Sequence, residues 1–148
     1  MSSTSSDATI LEILSSSKTI ALVGASNKDI RPSNYVMKFL LDHGYNVIPV
    51  NPGLEGQSIH GQAVVGNLKD IADPVDMIDI FRSSDAVGPI VDDAIEMKAK
   101  YIWMQIGVVN EEAAQKATDA GMSVVMDRCP KVEIPRLSIS GPKRNSGL

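Results

Sequence analysis

The chain has 148 residues, a length for one domain, and carries a net charge of -4 with three tyrosines, two phenylalanines and one tryptophan. That balance offers no basic, aromatic-studded surface for nucleic acid, and no apolar run approaches the ~20 residues of a membrane helix. The single cysteine, Cys129, excludes an internal disulfide, and the stretch Met1 to Asp7 lacks the basic and apolar regions of a secretory signal and the arginines of a transit peptide, so a cytoplasmic protein is expected.

In chain order, Asp7 is the expected cap of a short helix from Ala8 to about Ser15, with Ile10, Leu11 and Leu14 on one face. Thr19 to Val23 is a continuous apolar run, as a strand covered on both faces requires. It breaks into Gly24-Ala25-Ser26 and a loop to Pro32. Ser33 then reads as the cap of a helix with Val36, Met37, Leu40 and Leu41 inward, stopped by Gly44. A second strand, Asn46 to Val50, ends in the turn Asn51-Pro52-Gly53. Leu54 to Gly66 has three more glycines and no strong period, and reads as a functional loop or mobile lid with at most a short strand near Val64.

Val75 to Phe81 is the next strand, where Asp76 and Asp79 suggest an end or edge near solvent. A helix from Pro89 to Lys98 should turn Ile90, Ala94 and Met97 inward. Tyr101 to Ile106 is a strand with Trp103 and Met104 as core, Asn110 caps a helix from Glu111 to Ala120, and Ser123 to Met126 is the last strand. Residues 1–17 thus form an N-terminal segment, 18–137 the domain, and 138–148, with Gly141-Pro142-Lys143-Arg144, a flexible tail. The alternation predicts an α/β fold: one Rossmann-like, doubly wound, mainly parallel sheet with helices on both faces. Ligands on such sheets bind outside the carboxyl ends of the strands where the winding reverses. Gly24 to Ser33, Asn51 to Gly56 and Phe81 to Ser84 should meet there.

A strand feeding a helix through small residues aims backbone N–H groups and the positive helix end at one point, which suits a phosphate. The dinucleotide fingerprint is incomplete: Gly24 is followed by Ala25-Ser26-Asn27-Lys28-Asp29, and the second strand ends in Asn51 rather than an acid. No Gly-Lys-Ser/Thr loop occurs either. An adenine nucleotide with further phosphates remains, neutralised by Lys28, Arg31 and Arg82. Arg82 could equally pair with Asp79 or Asp85.

Ile20-Ala-Leu-Val-Gly-Ala-Ser26, Arg31-Pro32-Ser33, Val47-Ile-Pro-Val-Asn-Pro52, Val75-Asp76 with Phe81-Arg82, Trp103-Met-Gln-Ile-Gly107 and Asp127-Arg-Cys-Pro130 with Ile134-Pro-Arg136 together resemble the small stand-alone CoA-binding proteins, in unbroken order over about Thr19 to Leu137. The resemblance implies the fold of the CoA-binding domain of the succinyl-CoA synthetase α subunit, with CoA or an acyl-CoA as ligand. Position by position it implies that Gly24, Ala25 and Ser26 lie against the phosphates and that Asn51 and Pro52 flank the adenosine. Phe81 and Arg82 fall beside the nucleotide, and Gln105, Ile106 and Gly107 on the next strand end. Those synthetase domains commonly follow the second-strand proline with a lysine, whereas Pro52 here precedes Gly53-Leu54-Glu55. Lys28, Arg31 or Arg82 would have to replace that charge.

The histidine and ATP-grasp units of the synthetases do not fit in 148 residues, so a non-catalytic binding protein is expected. The alternatives are an NAD(H)-binding redox protein or sensor and a docking subunit of a larger acyl-CoA enzyme, the last hinted at by an acidic loop and a basic tail. His43 suits a helix end and His60 has no partner at metal spacing, so neither reads as a base, and no metal is expected. Arg128 could stabilise a thiolate on Cys129, although a buried, inert thiol is the plainer reading.

Overall fold

Residues 5–143 are described by the structure, a computed structural model. The apolar runs form β1 (Thr19–Val23), β2 (Asn46–Val50), β5 (Met77–Ile80), β6 (Tyr101–Met104) and β7 (Ser123–Val125), all parallel in the order β2-β1-β5-β6-β7. The winding reverses between β1 and β5, where Leu22 stands beside Asp79 and Asp79 beside Trp103.

One face of the sheet is covered by α1 (Asp7–Ser16), α2 (Pro32–Asp42) and α5 (Pro130–Arg136) through Ile10, Ile13, Leu14, Val36, Met37, Leu40 and Ile134. The other is covered by α3 (Val87–Glu96) and α4 (Glu111–Asp119), where Val87, Val91, Ala94 and the small residues Ala113, Ala114 and Ala117 allow close helix packing. Both faces of β1 and β5 are therefore dry, which is why β1 is apolar without alternation.

Several local expectations are corrected. Ser6, not Asp7, caps α1 by accepting from the Thr9 N–H at 3.1 Å, which leaves Asp7 in the first turn to meet Arg136 at 2.8 Å. Arg31, not Ser33, takes the cap position of α2 with no side-chain cap bond, because Pro32 has the fixed φ that suits the first helical residue. A 3₁₀ turn at Ser84–Ala86 starts α3 earlier than Pro89, so Val87 and Val91 replace Ile90 and Met97 in the buried stripe. Helix α5 was not foreseen. Pro130 and Glu133, at positions that favour a helix start, were the available signal.

Asp79 overturns the reading of an exposed strand end. Since β5 is the middle strand, Asp79 is 0% exposed and neither carboxylate oxygen has a hydrogen-bond partner. Burial pushes its carboxyl well above the ordinary aspartate value of 3.8. Asp76 at the strand entry is the opposite case, with Oδ2 accepting from the N–H of Lys18 at 2.9 Å and of Thr19 at 3.0 Å.

The expected lid is a packed hairpin, β3 (Ser58–Ile59) and β4 (Gln62–Ala63), with Val65 bridging to Val50 and Ile59 and Val64 buried. His60, at its tip with φ 48°, holds it down by bonding Asn34 Oδ1 at 2.9 Å. The flexible tail expected from 138 onward is packed as far as Lys143. Ile139 is buried, a Cβ on Gly141 would stand 2.3 Å from the His43 carbonyl oxygen, and the Lys143 N–H donates to Ser15 at 2.7 Å. Residues 1–4 and 144–148 of the expected terminal segments lie outside the described residues.

Candidate functional site

Three loops converge at the carboxyl ends of β2, β1 and β5. The N–H groups of Gly24 and Ala25 both donate to the Val50 carbonyl, at 3.0 and 3.2 Å, so they are spent on joining β1 to β2 rather than aimed at a ligand. Gly24 has φ +91°, and a Cβ there would stand 2.3 Å from the Phe81 carbonyl oxygen. Only glycine lets the two strand ends meet this closely.

Asn51 explains why no acid ends the second strand. Its Nδ2 donates to the Ala25 carbonyl at 2.7 Å and its Oδ1 accepts from the Gly53 N–H at 2.8 Å, tying the first loop to the second. A carboxylate could make only the second of these bonds. The Asn34 amide adds another tie, donating to the Ser26 carbonyl at 2.8 Å while His60 engages its oxygen.

Above these ties lies a cleft of about 860 Å³. Gly24, Ala25, Ser26, Lys28, Arg31 and Asn51 line it from one side, and Phe81, Arg82, Gln105 and Ile106 from the other. Pro52 and Gly107 stand outside this wall. Pro52 lines an adjoining cleft of about 530 Å³ that shares Gly24, Asn51 and Arg82, and the Gly107 N–H donates to Asp127 Oδ1 at 2.7 Å.

Ser33, Tyr35, Val36, Leu54, Val108 and Cys129 also line the main cleft. Reading Ser33 as a cap hid its position inside the first turn of an α2 whose N-terminus has no side-chain cap. Among the described residues, no hydrogen bond engages the N–H of Ser26, Asn27 or Ser33. Ser33 lies in the first turn of α2 and Ser26 and Asn27 in the loop before it, and unpaired backbone N–H groups in such a loop and helix start make an anion-binding corner. Only the position of Pro32 in the sequence signalled it.

The charges agree with that corner. Lys28, Arg31 and Arg82 are exposed, and none forms an ion pair among the described residues. Arg82 pairs with neither Asp79, which is buried, nor Asp85, which accepts from Ser83 Oγ at 2.7 Å. Glu55 turns its carboxylate over Gly66, with Oε1 2.7 Å from where a Cβ would stand, and does not enter the wall of the main cleft.

Arg128, by contrast, is spent. It meets Glu133 at 3.5 Å, and buried Glu133 also accepts from Arg136 Nε at 2.8 Å. The Arg136 guanidinium in turn holds the Asp7 carboxyl below the ordinary aspartate value. His43 closes α2, with Nδ1 2.8 Å from the Phe39 carbonyl oxygen and its ring stacked on Phe39. Trp103 is core, its Nε1 donating to the Arg128 carbonyl at 2.7 Å.

Comparison with known proteins meets this geometry. The model of the CoA binding domain family matches residues 18–135. The protein YneT of Bacillus subtilis is 42% identical over 127 residues, 86% of this chain and 93% of its own. A solved structure of a protein from Pyrococcus horikoshii shares 41% identity with a TM-score of 0.87, covering 92% of this chain and 94% of that one. The fold recurs inside the acetyl-coenzyme A synthetase 1 of Candidatus Korarchaeum cryptofilum at 27% identity and a TM-score of 0.65, over 77% of this chain and 27% of the synthetase.

Proposed function

We propose a ligand from one premise: this chain belongs to the CoA binding domain family. That ligand is coenzyme A, free or acylated, held in the main cleft without being chemically changed, in a cytoplasmic setting. The observation that carries the reading is the set of unpaired N–H groups in the β1–α2 loop and the first turn of α2. Ser26, Asn27 and Ser33, which bear them, line a cleft edged by three free cations, an arrangement that suits a pyrophosphate.

The adenosine then lies toward Asn51 and Pro52, and its 3′-phosphate is met by Arg31, with Lys28 and Arg82 adding charge in place of the missing lysine. The pantetheine arm runs over Phe81 toward Gln105 and Ile106. Against NAD(H), the Asn51 amide is committed to Ala25 and Gly53, so no acceptor is presented to a pair of ribose hydroxyls.

Calorimetry and thermal unfolding with CoA, dephospho-CoA and NADH test the reading. Heat and a raised Tm with CoA are expected, weaker binding with dephospho-CoA, and no response to NADH. A response to NADH alone would replace CoA with a nicotinamide cofactor.

A further inference from the structure

Two buried side chains, Cys129 and Gln105, line the same cleft. Cys129, just after β7, is the single cysteine of the chain, is 7% exposed, and lines the cleft. Gln105, just after β6, is 6% exposed and lines the same cleft, and its Oε1 is buried without a hydrogen-bond partner. A buried acceptor left unpaired in a ligand-sized cleft calls for a donor supplied by the ligand. The amide N–H groups of a pantetheine arm are such donors.

The distances agree. After β7 the chain turns back over the end of β6, where the Arg128 N–H donates to the Met104 carbonyl at 3.3 Å, so Cys129 lies about two strand spacings from the α2 corner beside β1, about 10 Å at about 4.8 Å each. The arm from pyrophosphate to thiol has the backbone length of roughly four extended residues, about 14 Å. A CoA whose phosphates sit beside the start of α2 therefore has an arm long enough to bring its sulfur to Cys129 within the same cleft.

We infer that Cys129 exchanges with disulfides of CoA, so that the protein takes up CoA as a protein-bound mixed disulfide. The inference rests on the CoA reading of the same cleft. The Cys129 thiolate attacks the sulfur–sulfur bond of CoA disulfide and forms a Cys129–S–S–CoA bond. The second CoA leaves as a thiolate and takes the proton that Cys129 gave up, so no further oxidant enters. A free thiol reverses the step. Gln105 is a positioning residue that accepts from the arm and sets the sulfur against Cys129.

The test is intact mass over time with CoA disulfide, with cystamine as a small disulfide lacking the nucleotide, alongside calorimetry with CoA. Expected is one CoA-sized adduct, reversed by dithiothreitol, absent from Cys129→Ser, and formed at least tenfold faster than the cystamine adduct. Gln105→Leu should slow the CoA reaction and leave the cystamine reaction unchanged. Equal rates for the two disulfides, or no adduct from a protein that still binds CoA, would overturn the exchange and leave CoA binding standing. No adduct together with no heat from CoA would overturn both.

Discussion

At the amino ends of the parallel strands, Asp76 collects the N–H groups of Lys18 and Thr19 and an ion pair with Lys100 at 3.7 Å, so the entries of β1, β5 and β6 are tied together. At the carboxyl ends the N–H groups of Ser26, Asn27 and Ser33 and the charges of Lys28, Arg31 and Arg82 have no partner among the described residues. One sheet thus has an end tied by a single carboxylate and an end where several N–H groups and cations stand unpaired among the described residues. The same chain supplied both, so the difference is local chemistry rather than fold. The cations and Asn27 are exposed to water, and under the CoA reading a phosphate takes the place of that water.

The sharpest break in this comparison is Gly24→Ala. The new Cβ meets the Phe81 carbonyl and the backbone must hold φ +91° with a side chain, so roughly 2–5 kcal/mol of stability should be lost. Urea unfolding measures it. A loss under 1 kcal/mol would mean that the strand ends separate easily and that the cleft floor is soft.

Two aspartates three residues apart, Asp76 at the entry of β5 and Asp79 within it, should respond with opposite signs. Asp76→Ala removes the acceptor of two N–H groups and should cost about 1–3 kcal/mol. Asp79→Asn should stabilise at neutral pH. Burial raises the folded-state value of Asp79 above 3.8, so the stability it permits is fully present below that pH and lost as pH rises through the raised value. Asparagine has the same shape and no charge to lose. Unfolding curves of wild type and Asp79→Asn should coincide near pH 4 and diverge above it, and parallel curves from pH 4 to 8 would show that Asp79 is solvated and charged.

How far the sequence carried the reading follows the same division. Strands were legible because two-sided burial removes polar alternation from Thr19 to Val23 and from Tyr101 to Met104. The order of loops at the cleft followed from the winding. Asp79 was misread because a single carboxylate in an apolar run usually marks an edge, and only the strand order places it in the middle. Ser33 was misread because a serine at a helix start is usually its cap, while Pro32 fixed the boundary two residues earlier. The hairpin at 58–63 was hidden by its glycines: its order comes from Ile59 and Val64 packing into the core and from His60 reaching Asn34, contacts distant in sequence. Cys129 was legible at this edge because it follows the last strand, whose carboxyl end lies on the side of Gly24 and Gly107, while α5 after it carried no strong helical period.

The finest comparison is between two exposed cations, one at each end of the sheet. Arg31 stands at the carboxyl end without an ion pair, and Lys100 at the amino end with Asp76. If open charges serve the ligand, Arg31→Ala should weaken CoA several-fold, about 1 kcal/mol, because a charge-assisted contact at an exposed site keeps only part of its full strength. Dephospho-CoA should be weakened less, since it lacks the 3′-phosphate that Arg31 meets. Lys100→Ala should leave both affinities unchanged while lowering stability slightly. Calorimetry at two salt concentrations separates the cases: the gap between wild type and Arg31→Ala should shrink at high salt as the interaction is screened. Equal losses for CoA and dephospho-CoA would move Arg31 to the pyrophosphate, and no loss for either would make it a solvated loop residue, with Lys28 and Arg82 left to carry the phosphate charge.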